Sequence, residues 1–144
     1  MCSARLQVPG TPASIGVVRR ALAAVAERAG ASRATIANVR LAVSEATTNA
    51  VRHAYDDGGA PGDVMACARV ERPDGEDASL VVTVSDHGGG VRPRPDSPGL
   101  GLGLPLMTRL AESVQISTHP DGGTEVRMTF TVAREQPSPR FAHP

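Results

Sequence analysis

Residues 63–71 read DVMACARVE and residues 79–85 read SLVVTVS, and these two stretches decide the fold class. In the first, small apolar side chains alternate with other residues, which is typical of a β-strand with one buried face. The second is richer in β-branched residues, so we expect it to be the more central strand. A Pro-Asp-Gly turn at residues 73–75 lies between them. The two stretches therefore predict consecutive strands of one sheet.

Helical and strand patterns follow one another on both sides of this strand pair. Apolar residues at three- and four-residue spacing predict two helices before it, the first capped at Thr11-Pro12 and the second at Ser32. The further predicted elements are strands at 3–8, 113–118 and 124–132, helices at 12–29, 33–55 and 102–112, and a long Gly- and Pro-rich loop at 87–101. This order favours an α/β (α+β) two-layer sandwich, in which a mixed, mostly antiparallel sheet carries helices on one face.

Length and composition exclude several classes of protein. The 144 residues predict one domain at 1–133, followed by a disordered tail at 134–144. The 15 basic residues balance 15 acidic ones, so we expect no direct binding to nucleic acid or to a membrane. Every basic residue is arginine, which excludes a phosphate loop of the Walker A type because that loop needs lysine. Two cysteines without metal-ligand spacing fit a reducing cytoplasm.

The second predicted helix carries a polar stripe opposite its apolar one. Glu45, Asn49 and His53 follow one another at four-residue spacing, so they stack on one helix face. A carboxylate and an amide one turn apart suit Mg²⁺, which prefers oxygen ligands and keeps most of its waters. The alternative interpretation is an ordinary polar face in contact with solvent.

Two glycine-rich stretches follow the central strand. Asp86 ends that strand, and Gly88 and Gly90 come directly after it. The carboxylate of Asp86 can accept a hydrogen bond from an amine, and the glycines let a ligand lie against the backbone. The alternative is an ordinary turn. Residues 99–106 (GLGLGLPL) then open a helix, an arrangement that holds phosphates on backbone N–H groups. A dinucleotide-binding fingerprint is rejected here, because this stretch follows a long loop and precedes antiparallel strands.

The order of these motifs resembles the GHKL ATPase superfamily over residues 40–130. Residues 45–55 (EATTNAVRHAY) look like its N box, residues 86–90 (DHGGG) like its first glycine box and residues 99–106 like its second. Gly-Gly-Thr at 122–124 completes the series at the start of the last strand. Because of its short length and the residue pattern of its N box, the chain is similar to the bacterial anti-sigma-factor serine/threonine kinases.

The resemblance implies a role for each matching residue. Asp86 would bind the adenine amine with support from Thr124, Asn49 would ligate the Mg²⁺ that bridges the phosphates of ATP, and Glu45 would act as general base. The glycines expected to let the lid and the third helix close on the nucleotide are Gly88, Gly90, Gly101 and Gly103. Gly99 and Leu104 of the second glycine box are further expected nucleotide-binding residues. His53 matches a family position and is expected to be structural.

The resemblance also implies partners. A kinase of this family sequesters a sigma factor and phosphorylates a STAS-type antagonist on serine or threonine, and the family tends to form homodimers. Arg19 and Arg20 on the first helix are a candidate partner surface, with a solvated helix face as the alternative.

The chain departs from the family pattern just before the second glycine box. The family often has a basic residue there, but Asp96-Ser97-Pro98 precede Gly99, while Arg92 and Arg94 lie further back. A nucleotide-binding, partner-switching regulator without kinase activity is therefore the alternative function. An ATPase fragment of the histidine-kinase type is disfavoured because the chain has no dimerisation helix pair.

Overall fold

The computed structural model describes residues 3–55, 62–86, 100–118, 120 and 123–132. The strands are β1 (Ser3–Pro9), β2 (Asp63–Glu71), β3 (Ala78–Asp86), β4 (Ser113–Thr118) and β5 (Thr124–Val132), and the helices are α1 (Pro12–Arg28), α2 (Arg33–Tyr55) and α3 (Leu100–Leu110). The strands form one sheet in the order β1-β2-β3-β5-β4. The predicted central position of residues 79–85 is therefore confirmed, and so is the two-layer α+β architecture.

The sheet differs from the expected mixed one, because all four strand pairings among the described residues are antiparallel. The reason lies in the crossover through α3. Since β3 and β4 each run antiparallel to β5, they are parallel to one another, but β5 is inserted between them. The crossover through α3 therefore does not create a parallel pairing between β3 and β4, the two strands that it connects.

The two long helices begin and end where local signals place them. Thr11 occupies the N-cap of α1 without a side-chain cap hydrogen bond, and Pro12 follows it. At the other end, Gly30 has φ +83°, and the amides of Gly30 and Ala31 donate to the carbonyls of Glu27 and Ala26. This is a Schellman motif, which needs a left-handed residue and so favours glycine.

Ser32 caps α2, since its hydroxyl accepts a hydrogen bond from the amide of Thr35 at 3.1 Å. The third helix lies two residues earlier than predicted, from Leu100 to Leu110 instead of 102–112. It ends early because the amide of Glu112 already donates to the carbonyl of Thr129 in β5. The chain at that point has joined the sheet.

The core lies between the helices and one face of the sheet. The alternation in β2 buries Val64, Ala66, Ala68 and Val70, as predicted. The largest fully buried side chains of the core include Leu22 of α1, Val39 and Val43 of α2, Leu80 of β3, Met107 of α3 and Met128 of β5. The predicted stripe of α2 is confirmed from Val39 to Ala50, while Ile36 is only partly buried.

Candidate nucleotide-binding site

A cleft lies where α2, α3 and the ends of β3, β4 and β5 meet. Its polar lining consists of Asn49, His53, Asp86 and Thr124, and its apolar lining of Ala46, Ala50, Val84, Leu104, Met107, Ile116 and Val126. Few polar groups among many apolar ones are typical of a pocket that orients a small organic ligand.

The polar stripe of α2 faces this cleft in part. Asn49 is buried, with 9% of its surface exposed, and His53 is partly buried. The interpretation of a solvated polar face is therefore wrong for these two residues. Glu45, one turn earlier, is partly buried and does not line the cleft.

The hydroxyl groups of Thr47 and Thr48, which precede Asn49 on α2, form hydrogen bonds within the helix. Thr47 is fully buried, and its hydroxyl donates to the carbonyl of Val43 at 2.7 Å. Thr48 donates in the same way to Ser44 at 2.7 Å. These bonds back to the preceding turn satisfy the hydroxyls inside the helix.

Sheet register brings Asp86 and Thr124 together. In the pairing of β3 with β5, Val84 lies opposite Val126 and Ser85 opposite Glu125. The next position of the same register sets Asp86 opposite Thr124, and both side chains line the cleft. The expectation that the Thr124 hydroxyl supports a ligand held by Asp86 stays a prediction.

A contact between His53 and Asp86 was not predicted from the sequence. Nδ1 of His53 lies 3.6 Å from Oδ2 of Asp86, and the two side chains are 18% and 5% exposed. The sequence carried a partial signal, since His53 follows Asn49 by one helical turn. The apolar lining was missed as well, because it comes from five elements that only the tertiary fold brings together.

The donor set for a metal ion is sparse. Among the described residues, no group of three or more His, Cys, Asp or Glu side chains could hold a metal ion. Asn49 lines the cleft, and its side chain has one amide oxygen that could serve as a ligand. This fits an ion such as Mg²⁺ that takes most of its ligands from phosphates and water, and it does not fit a cage made by the protein alone.

The glycine motifs are covered only in part by the described residues. Gly88, Gly90 and Gly99 lie outside them. Gly101 and Gly103 lie in the first turns of α3, and Leu104 follows them and lines the cleft. The part of α3 that lines the cleft is therefore the turn from Leu104 to Met107, which directly follows these glycines.

Comparison with known proteins places this fold in a family. Residues 8–130 match the family described as "Histidine kinase-like ATPase domain". The chain belongs to this ATPase-domain family. A serine-protein kinase RsbW from Bacillus pumilus is 33% identical over 91% of this chain and 86% of its own length. The RsbW kinase of Halalkalibacterium halodurans is 30% identical over 91% of this chain and 84% of its own length.

Solved structures give the same assignment for the ATPase-domain fold. The crystal structure of the RsbU and RsbW domains of Rv1364c from Mycobacterium tuberculosis superimposes with a TM-score of 0.69 and 25% identity, over 93% of this chain. This chain spans 33% of that longer protein. No described helix of the ATPase domain is long and apolar enough to cross a bilayer.

Proposed function

We propose that this protein is an anti-sigma factor and a serine/threonine protein kinase that uses ATP with Mg²⁺ to phosphorylate a STAS-type antagonist. The observation that carries the proposal is the convergence of Asn49, Asp86 and Thr124 in one cleft of an ATPase-domain fold. The curated relatives in the family are named serine-protein kinases, which supports the reaction class.

The adenine of ATP would lie at the inner end of the cleft. Asp86 has a carboxylate that accepts a hydrogen bond from the 6-amino group, and the Thr124 hydroxyl stands beside it. Met107 and Val126, both buried, supply the apolar surface on which a purine ring packs. The recognition is thus apolar on the ring faces and polar at one ring edge.

The phosphates of ATP would extend from this inner end toward Asn49 and the start of α3. Asn49 would hold the Mg²⁺ ion through its amide oxygen, and Gly101 and Gly103 would offer backbone N–H groups. The bound ion would neutralise charge on the phosphate oxygens. Gly88, Gly90 and Gly99 belong to the same proposed set as lid residues.

Glu45 is the proposed general base. It lies one helical turn, about 6 Å of rise, before Asn49 on α2. A carboxylate there would accept the proton of the attacking serine hydroxyl while the phosphoryl group is held near Asn49. Phosphoryl transfer depends mostly on positioning and charge neutralisation, so this small set of residues is chemically sufficient.

The partners in this proposal are a sigma factor and a STAS-domain antagonist. Arg20 on α1 is exposed and available to a partner, whereas Nη1 of Arg19 lies 3.5 Å from the hydroxyl of Ser44 on α2. We further propose a cytoplasmic homodimer, with residues 1–133 as the ATP-binding domain and 134–144 as a tail. The family match at 8–130 agrees with these bounds.

The test is transfer of labelled phosphate to a partner. The full chain is incubated with γ-labelled ATP, Mg²⁺ and a panel of STAS-domain proteins from the same organism. We expect label on one of them, and Glu45→Gln should slow transfer about 10²- to 10⁴-fold, the usual contribution of a general base, while it leaves ATP binding intact. Glu71→Gln is the matched control, because Glu71 is exposed and pairs with Arg69. Transfer by Glu45→Gln at the wild-type rate would refute the assignment of the base.

The second candidate function is a nucleotide-gated regulator without kinase activity. It is favoured by the sequence before Gly99, which has Asp96-Ser97-Pro98 where related kinases often have a basic residue. The phosphate-transfer experiment described above distinguishes this regulator from the kinase. Partner capture that needs ATP, with no label transferred to any STAS protein, would favour the regulator.

A further inference from the structure

His53 stands in the cleft beside the proposed adenine-binding carboxylate. Its imidazole Nδ1 lies 3.6 Å from Oδ2 of Asp86, and only 18% of the His53 side chain is exposed. The two residues come from different layers of the fold, His53 from the end of α2 and Asp86 from the end of β3. Both line the same cleft as Asn49 and Thr124.

We propose that His53 is a positioning residue that orients the Asp86 carboxylate for recognition of the adenine 6-amino group. This inference rests on the ATP-binding function proposed above, and it adds a specificity-determining residue to it.

The contact with His53 restrains the plane of the Asp86 carboxylate. The terminal torsion of an aspartate side chain is broad, so the plane of the carboxylate can turn unless another group holds it. Asp86 is the last residue of β3. At 3.6 Å the contact between Nδ1 and Oδ2 is longer than a hydrogen bond and acts as an electrostatic contact, which favours one orientation of that plane. Contacts of this kind in an empty site often shorten when the ligand binds.

The chemistry of the contact selects one form of the imidazole. A carboxylate accepts hydrogen bonds, so the proposed role requires the form of His53 that carries a proton on Nδ1. The neutral tautomer with its proton on Nε2 would turn a lone pair toward Asp86. The carboxylate has about four acceptor directions on its two oxygens, so the contact with His53 uses only part of its capacity.

The position of His53 on α2 links the two ends of the proposed nucleotide site. His53 follows Asn49 by one helical turn, so both side chains lie on the same face of α2. On that face, Asn49 would bind the Mg²⁺ and phosphates, and His53 would act on the adenine through Asp86. A shift of α2 relative to the sheet would then disturb both ends of the nucleotide site together.

The experiment compares ATP with purine riboside triphosphate, which has the same sugar and phosphates but no 6-amino group. Dissociation constants of both with Mg²⁺ are measured calorimetrically for the full-length wild type and for Asp86→Asn, His53→Ala, His53→Gln and His53→Asn. The amide nitrogen of asparagine occupies the place of Nδ1, whereas that of glutamine occupies the place of Nε2. Circular dichroism confirms that each variant is folded.

The wild type should prefer ATP by about 10- to 100-fold, the value of a hydrogen bond to a charged acceptor. Asp86→Asn, His53→Ala and His53→Gln should each reduce this preference to about threefold or less, and His53→Asn should keep most of it. The ratio of the two constants is the readout, because general damage to the fold weakens both ligands equally.

Three results would overturn the inference while the ATP site stands. The preference for ATP could survive in His53→Ala but vanish in Asp86→Asn, both ligands could weaken by the same factor in His53→Ala, or His53→Asn could behave like His53→Ala. A wild type that binds ATP no better than the analogue would overturn the recognition by Asp86 as well. A wild type that binds neither would overturn the proposed function itself.

Discussion

Asp86→Asn should remove most of the stabilisation that MgATP gives to this protein. Asp86 is 4% exposed at the end of the central strand and faces a cleft with few polar groups. Asparagine has nearly the same shape, so the substitution keeps the packing. It removes the negative charge, and with it the strong acceptor for the adenine amine.

The size of the effect follows from linkage between binding and folding. A hydrogen bond to a charged group contributes about 1.5–3 kcal/mol, so the variant should bind ATP about 10- to 100-fold more weakly. ATP at 100 times the wild-type Kd stabilises the wild type by about 2.7 kcal/mol. The same concentration should stabilise the variant by only about 0.4–1.4 kcal/mol. At about 3–4 °C per kcal/mol for this chain length, the shift in Tm should be about 8–11 °C for the wild type and about 1–6 °C for the variant.

The assay is calorimetric melting with and without MgATP, for the wild type, Asp86→Asn and Asp63→Asn. Asp63 is a matched control, because it is an exposed strand carboxylate that accepts a hydrogen bond from Nε2 of Gln7 at 2.7 Å, away from the cleft. Asp63→Asn should show the full shift in Tm. If Asp86→Asn also shows the full shift, the carboxylate does not contact the nucleotide and the argument from the cleft fails.

Two further predictions concern the fold. Leu80→Ala in β3 should lower the free energy of unfolding by about 2–5 kcal/mol, because Leu80 is fully buried. Leu41→Ala, at a position that is 45% exposed, should change it by about 0.5 kcal/mol or less. Urea denaturation of both variants tests this difference. Gly30→Ala should destabilise the fold by about 1–2 kcal/mol, since φ is +83° there. Gly16→Ala inside α1 should stabilise it by up to about 1 kcal/mol, since only the flexible guanidinium ends of Arg20 and Arg19 approach the new methyl group. Equal changes in Tm for the two glycine variants would contradict the backbone argument.

The elements of this fold could be predicted because their signals are local. The alternation in β2, the Ser32 cap of α2 and the glycine after α1 each act within a few residues, and all three are confirmed. The end of α3 could not be predicted, because it depends on a hydrogen bond from Glu112 to Thr129 across the chain.

The site could be predicted as a set of residue types but not as a cavity. Asn49 lies beside the apolar stripe of α2, and its periodicity alone suggests contact with solvent. Asn49 is buried in the fold, where α3 packs against α2 and where Leu104 and Met107 line the same cleft. The contact of His53 with Asp86 depends likewise on how α2 lies over β3, which no local pattern encodes.

The register of the sheet is the feature that joins fold and proposed function. Successive residues of a strand point to opposite faces, so a shift of β3 by one residue would turn Asp86 to the open face, away from α2. Its register is held on both sides, by Val64 opposite Asp86 in β2 and by Glu125 opposite Ser85 in β5. Because Leu80, Val82 and Val84 must face the helices to form the core, Asp86 must face them too. The packing that stabilises the sheet therefore also orients the Asp86 carboxylate toward the cleft. The apolar alternation of β3 thus determines the geometry of the proposed site.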